Sequence, residues 1–259
     1  MIISKSNKFI YSAIGGTGTT NMMENLKNYH DTDVYLAYPR HACMFELEDQ
    51  INLDDFYKFC FCRNPYDLVA RNFCFFGHKV KYGKDIRSIH LKDAKERFKE
   101  FVFSNDVYNQ NHHHSRSVLM KKGVGAHGRT LRYPRHGSHG PPRFQFVKEG
   151  DEEAWLKSSS NSWCHPGYLL RYVSDMIMSR DGKTLLVDEI FRFEDLANEK
   201  KRLSEKLCIS INSKIHKNTT SKPRGCESYS DIYDEESRRK VYNDLERDFQ
   251  IFGYSREIR

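Results

Sequence analysis

Two short segments contain the residues most able to bind an anion, 9–20 (FIYSAIGGTGTT) and 58–67 (KFCFCRNPYD). In the first, an apolar run ends in a turn of small residues: Gly15, Gly16, Thr17, Gly18, Thr19 and Thr20. Glycine permits a positive φ and lets backbone N–H groups approach a ligand, and threonine hydroxyls can add further donors. The pattern predicts a phosphate-binding loop, with a plain strand-to-helix turn as the alternative.

The second segment places an arginine directly after an apolar run. Arg63 follows residues 59–62 (FCFC), and an arginine at the carboxyl end of a parallel strand points into the crevice where α/β sheets bind ligands. Its planar fork suits a phosphate dianion. Arg71 lies about two helical turns further on and returns to a similar face. The alternative is a structural arginine that pairs with Asp67 or a helix end.

Strands and helices must position these turns. Residues 9–14 and 59–62 read as buried strands, and each runs into a helix, over residues 21–29 and from Pro65 towards Phe76. Two further amphipathic helices are predicted, at 91–103 and 235–249. The alternation of strands and helices predicts one α/β domain over residues 1–259, with a central, mostly parallel sheet flanked by helices.

Composition narrows the function classes. The 259 residues carry a formal net charge of +7, which suits an anionic cofactor, an acidic glycan, nucleic acid or an anionic membrane. No nucleic-acid module supports the third option. Seven cysteines form no Cys-x-x-Cys pair, which indicates reduced thiols in a cytosol-like compartment. Met1 leads within a few residues into the first strand, so we expect a soluble, cytoplasmic protein without signal peptide or anchor. The oligomeric state is left open.

Apolar periodicity fades over residues 104–163, which predicts a functional insertion or a disordered segment on the acceptor side. Several histidines lie in or near it: His112, His113, His114, His127, His136, His139 and His165. Three consecutive histidines cannot all face one ion, and no regular spacing with cysteines or carboxylates supports coordination. We therefore expect a polar loop and no metal.

Both anion-binding segments resemble the sulfotransferase superfamily, in its carbohydrate-type branch (family 2). In that family a loop of the type Pro-Lys-Thr-x-Gly-Thr-Ser holds the 5′-phosphosulfate of 3′-phosphoadenosine 5′-phosphosulfate (PAPS), and an Arg-Asn-Pro-Tyr-Asp-Arg-x-x-Ser segment holds its 3′-phosphate. The resemblance implies a P-loop-NTPase-like sulfotransferase fold, with PAPS bound by the loop at 15–20, Arg63 and Arg71. It also implies transfer of the sulfuryl group to a hydroxyl of a carbohydrate.

The resemblance extends over roughly two thirds of the chain. Further segments that match the family in order and spacing are 38–42 (YPRHA), 54–59 (DDFYKF), 174–177 (SDMI), 181–183 (DGK), 186–196 (LVDEIFRFEDL), 216–218 (HKN) and 229–254. His41 is the candidate general base, because imidazole titrates near working pH and its segment precedes the second strand. The alternative for His41 is a side chain bonded to backbone or solvent.

Two positions depart from the family pattern. Gly16 stands where the family has the lysine that neutralises charge on the leaving group, and Arg71 stands where it has a serine. Candidates to replace that lysine or to clasp the nucleotide are Arg40, Lys217, Lys222 and Arg224, although a run of this kind also suits a solvated basic loop. Two alternatives stay open: a catalytically impaired nucleotide- or glycan-binding relative, and a kinase-like phosphoryl transferase, for which a Walker lysine is missing.

Overall fold

The computed structural model describes residues 1–29, 43–47, 51–74, 85–103, 129–132, 145–148, 173–179, 181–212 and 221–257. The chain divides into two compact units. The first unit comprises Met1–Asn64 and Val173–Thr219, and the second comprises Pro65–Tyr172 and Thr220–Arg259. The expectation of a single domain stays a prediction.

The described residues form six strands and five α-helices. The strands are β1 (Ile2–Ser4), β2 (Phe9–Ser12), β3 (Tyr57–Cys62), β4 (Arg129–Arg132), β5 (Gln145–Lys148) and β6 (Glu189–Arg192). The helices are α1 (Thr19–Leu26), α2 (Pro65–Asn72), α3 (Leu91–Phe103), α4 (Leu196–Leu207) and α5 (Glu235–Phe252). None of the helices in these described ranges is both long enough and apolar enough to span a membrane.

A four-stranded sheet forms the centre of the first unit, in the order β1-β2-β3-β6. β1 is antiparallel to β2, whereas β2, β3 and β6 are parallel to one another. Ser12 lies opposite Cys60, and Cys62 lies opposite Arg192. The α/β class and the mostly parallel sheet predicted from the sequence are confirmed. All three parallel strands end at the same edge of the sheet.

One face of this sheet is aromatic and packs against α1 and α4. Because side chains alternate between the two faces of a strand, every second residue of β2, β3 and β6 contributes to it. The cluster includes Phe9, Tyr11, Phe59, Phe61 and Phe191 from the strands, and Met22, Leu26, Leu196 and Leu203 from the helices. The rings of Phe61 and Phe191 stack with centroids 5.2 Å apart. This packing fixes the helices against the parallel strands.

The second unit has its own core, formed by α2, α3 and α5. Phe98 of α3 packs edge-on against Tyr233, with ring centroids 4.6 Å apart. Val241, Leu245 and Phe249, at four-residue steps along α5, are all buried. The buried Tyr233 hydroxyl donates to the Tyr66 carbonyl oxygen at 2.8 Å. The helices predicted at 91–103 and 235–249 are therefore confirmed.

Three local features add to the sequence prediction. The three-residue strand β1 was not predicted, because it is too short to show a period. The α-helical part of α2 ends at Asn72 and continues as a π-helical turn at residues 73–74. Phe76, the end of the predicted helix, lies outside the described residues. Within 104–163, β4 and β5 form a two-stranded antiparallel ribbon with Leu131 opposite Phe146. The remaining residues of that segment lie outside the described ranges.

At the amino ends of β3 and β6, Glu189 links two strands and a helix. Its carboxylate accepts from the Tyr57 hydroxyl and pairs with Lys206 at 2.6 Å and Arg202 at 2.8 Å. Burial alone would raise the pKa of the Glu189 carboxyl, but the hydrogen bonds from Lys206 and Tyr57 and the charges of Lys206 and Arg202 outweigh it. The pKa is therefore lowered.

We predict that Glu189→Gln lowers the free energy of unfolding at neutral pH, and that this loss shrinks in acid. A lowered folded-state pKa means that the unfolded chain binds the proton more tightly, so the contribution is complete above the ordinary pKa of 4.5 and is lost as the pH falls further. Urea unfolding of both proteins between about pH 7 and about pH 3 measures the difference. Glu205→Gln is the control, because its carboxylate is exposed and lies 4.0 Å from Lys201. A loss of unfolding free energy in Glu189→Gln that did not change with pH would contradict the prediction.

Candidate functional site

The candidate site lies at the carboxyl edge of the three parallel strands of the first unit. β2 leads into the glycine-threonine loop, β3 into Arg63 and Asn64, and β6 into Phe193 and Glu194. Open α/β sheets bind ligands beyond this edge, because the loops there are held on rigid strands. The register therefore brings three separate parts of the sequence to one place.

The loop between β2 and α1 has a fixed backbone conformation that requires two glycines. Gly16 has φ +82° and Gly18 has φ +77°, both in the left-handed region that residues with a β-carbon rarely adopt. The Thr17 hydroxyl donates to the Ile14 carbonyl oxygen at 2.6 Å, and the Thr19 hydroxyl donates to the same oxygen. Since each hydroxyl has one proton, these two side chains brace the loop, and the donors left for a ligand are backbone amides.

Those amides lie at the start of α1. Gly18 is the N-cap residue and makes no side-chain cap, while the Asn21 and Met22 amides donate to the Gly18 carbonyl oxygen at 2.9 Å and 3.1 Å. Within the described ranges, the N–H groups of Gly15, Gly16, Gly18 and Thr19 have no backbone acceptor, whereas residues 14–17 form a turn that directs the Thr17 N–H towards Ile14. Unsatisfied N–H groups and the helix dipole favour an anion at such a position. The loop is thus suited to hold a phosphate or sulfate group.

Arg63 connects the end of β3 to this loop. Its guanidinium carbon lies 4.6 Å from the centroid of the Phe193 ring, and its Nη1 donates to the Gly16 carbonyl oxygen across 3.5 Å. The ring holds the planar cation by a cation–π contact, which is stronger in a half-buried position than in open water. Arg63 therefore brings a positive charge to the loop, although it lies 47 residues from Gly16 in sequence.

Phe193 and Glu194 follow β6 and contact the loop and the end of β3. A β-carbon on Gly18 would lie 3.0 Å from Cε2 of Phe193, so the ring edge packs directly on the loop. The Glu194 carboxylate accepts from the Asn64 amide at 2.6 Å and fixes the chain just after Arg63. In the sequence, Phe193 and Glu194 both belong to the segment 186–196 that resembles the family, and no local pattern singled out Phe193. Only the pairing of β6 with β3 reveals that its ring reaches both motifs.

Other predicted site residues belong to the second unit or lie outside the described residues. Arg71 belongs to the second unit and donates to Asn72 Oδ1 at 3.1 Å. Lys222 donates to the Glu227 carbonyl oxygen and lies 5.3 Å from the centroid of Tyr229. Arg224 is exposed, and its backbone forms an isolated parallel β-bridge with His90. His41, Arg40, Lys217 and the histidines at 112–114, 127, 136, 139 and 165 lie outside the described residues.

Searches with the chain against protein-family models, curated proteins and solved structures find no match. Within the described part of the chain, no group of three His, Cys, Asp or Glu side chains could hold a metal ion. The expectation that no metal takes part stays a prediction. What the site can do follows from its own chemistry: backbone N–H donors and one stacked guanidinium at the edge of a parallel sheet.

We predict that Gly18→Ala destabilises the protein more than Gly225→Ala does. Both glycines have a similar positive φ, +77° and +79°, but a β-carbon would meet Phe193 at position 18 and nothing within 4 Å at position 225. The backbone strain of a positive φ is common to both variants and cancels in the comparison. The close contact with Phe193 therefore accounts for the difference in unfolding free energy, about 1 kcal/mol or more. Urea unfolding of both variants measures it. Equal losses would show that Phe193 does not restrict the loop.

Proposed function

We propose that the protein is a PAPS-dependent sulfotransferase that transfers a sulfuryl group to a hydroxyl, on a carbohydrate acceptor. The observation that carries the proposal is the meeting of the glycine loop and Arg63 at one strand edge, with Arg63 Nη1 3.5 Å from the Gly16 carbonyl oxygen. These are the two segments that resemble the nucleotide-binding motifs of the sulfotransferase superfamily. We propose the sulfotransferase-type fold on the same basis.

The proposed chemistry is an in-line displacement. The loop amides hold the phosphosulfate, the acceptor oxygen forms a bond to sulfur, and the bond between sulfur and the bridging phosphate oxygen breaks. The acceptor proton passes to His41, and 3′-phosphoadenosine 5′-phosphate leaves. Positioning of donor and acceptor and stabilisation of the leaving diphosphate supply most of the rate in such transfers. Arg71, Lys222 and Arg224 are proposed to contribute to the nucleotide site, which does not involve a metal.

A second candidate function is nucleotide or glycan binding without turnover. Gly16 favours it, because no cation stands at the loop position where charge would develop on the leaving group. Loss of one such stabilising group commonly costs about 3 kcal/mol of transition-state stabilisation. The amides that bind the anion do not depend on the side chain at position 16. Binding and turnover can therefore be separated in this loop.

We predict that 3′-phosphoadenosine 5′-phosphate binds the full chain at least about tenfold more tightly than ATP, because the site would read two separate phosphates rather than a triphosphate. Calorimetric titration with each nucleotide, without and with Mg²⁺, makes the comparison. Preference for ATP with Mg²⁺ would favour a kinase-like phosphoryl transferase. Absence of binding to either nucleotide would overturn the proposed function.

We predict that Gly16→Lys turns over PAPS faster than Gly16→Ala. Both variants place a β-carbon at φ +82° and share its strain, about 1–2 kcal/mol, so only the added cation differs between them. A cation there stabilises the leaving diphosphate. Release of 3′-phosphoadenosine 5′-phosphate from PAPS, with a panel of glycans as acceptors, measures the rate. Equal rates for two folded, nucleotide-binding variants would show that position 16 does not limit the chemistry.

A further inference from the structure

Lys200 is a cation in the interior of the first unit. It belongs to α4, and its side chain is fully buried. Lysine is rarely buried without a carboxylate partner, because desolvation of an ammonium group costs free energy. The Lys200 Nζ donates to the Asn212 carbonyl oxygen at 2.9 Å, and no carboxylate pairs with it in the described part of the chain. Burial lowers the pKa of the Lys200 amine, and no neighbouring charge offsets this effect.

Hydrogen bonds connect this amine with the start of α1. The Asn212 amide donates to Asn25 Oδ1 at 2.7 Å, and Asn25 Nδ2 donates to the Asn21 carbonyl oxygen at 2.8 Å. The Asn21 amide in turn donates to the Gly18 carbonyl oxygen at 2.9 Å. Since Asn21 lies in the first turn of α1, this series of hydrogen bonds ends at the loop that would hold the anion.

The start of α4 lies against the same loop. Leu196 is the first residue of α4, and a β-carbon on Gly18 would lie 3.4 Å from its Cδ2 atom. Lys200 comes four residues later, about one helical turn from that contact. Inside a protein the effective dielectric constant is lower than in water, so a charge at this separation still acts on an anion at the loop.

We propose that Lys200 is a positioning residue for the anion site: its buried charge attracts the 5′-phosphosulfate to the amides of the glycine loop without touching it. The inference rests on the proposed nucleotide site and adds a cation to it. Replacement of a buried charged group by an apolar residue of similar volume is often neutral or stabilising, so such a charge does little for the fold. A charge that costs stability and lies beside an anion site indicates a role in binding.

Variants at position 200 separate the charge from the hydrogen bond. Lys200→Gln keeps a donor for the Asn212 carbonyl oxygen but removes the charge, and Lys200→Met removes both. We expect each variant to bind inorganic sulfate and 3′-phosphoadenosine 5′-phosphate about five- to tenfold more weakly than the wild type. Lys201→Gln is the matched control, because it removes the same charge from an exposed residue of α4 that lies 4.0 Å from Glu205. Its affinities are expected to change less than about twofold.

Wild-type affinity in Lys200→Gln would overturn the inference, because the hydrogen bond to Asn212 would then suffice. Urea unfolding provides a second readout. Lys200→Met is expected to be at least as stable as the wild type, since Asn212 is exposed and its carbonyl oxygen can bond to water. A Lys200→Met protein that loses stability together with affinity would indicate a structural role and contradict the inference.

Inorganic sulfate keeps the inference distinct from the proposed function. Its binding to the full chain is followed by nuclear magnetic resonance, through the amide signals of Gly16 and Gly18. Sulfate that shifts neither signal in the wild-type chain would overturn the inference. Sulfate affinity that depends on Lys200, in a protein that binds neither 3′-phosphoadenosine 5′-phosphate nor ATP, would refute the sulfotransferase proposal alone.

Discussion

The parallel pairing of β2, β3 and β6 is the constraint on which the candidate site depends. Parallel strands end at a common edge, so the residues that follow them become neighbours however far apart they are in sequence. The aromatic face holds this register: Phe9, Tyr11, Phe59, Phe61 and Phe191 fill the space under α1 and α4. A slip of one residue would turn these rings to the opposite face and separate Arg63 from Gly16. Core packing and site geometry therefore have the same cause.

The charged side chains have different partners at the two ends of the parallel strands. At the amino ends, Glu189 is surrounded by Lys206, Arg202 and the Tyr57 hydroxyl, and Asp188 accepts from the Lys58 amide at 2.6 Å and pairs with its amine. These carboxylates neutralise the cations around them and join β3 to β6. At the carboxyl ends, the Arg63 guanidinium faces an aromatic ring and a carbonyl oxygen. A cation at this edge suits an anionic ligand.

The sequence predicted the elements with strong local patterns. The strand ahead of Arg63 is a continuous apolar run, and the helix at 91–103 and the closing helix show helical periodicity. The structure confirms all three. The glycine loop was found from its composition alone. Phe193 was not identified, because its role depends on the pairing of β6 with β3, which is a contact over long sequence separation. No local pattern records such a pairing.

The same limit applies to the bracing of the loop. Threonines after a glycine turn suggest donors for a ligand, yet the hydroxyls of Thr17 and Thr19 both donate to Ile14. Composition identifies a polar group, whereas only the folded backbone shows which acceptor is nearest. The acceptor side of the proposed reaction depends on residues 104–163, of which the structure describes only β4 and β5. The type of acceptor accordingly stays a proposal.

The backbone conformation at Gly16 determines both the shape of the loop and which side chains the loop can carry. Its φ of +82° makes glycine the residue that fits the loop, so the missing lysine is coupled to a backbone conformation and is not a simple exchange of side chains. A loop of this shape can offer several amides to an anion but no side-chain cation from position 16. Arg63 brings a positive charge to the Gly16 carbonyl oxygen. A loop built in this way is suited to bind an anion through its amides. In the proposed sulfuryl transfer, a cation that promotes departure of the leaving group would have to come from another segment of the chain.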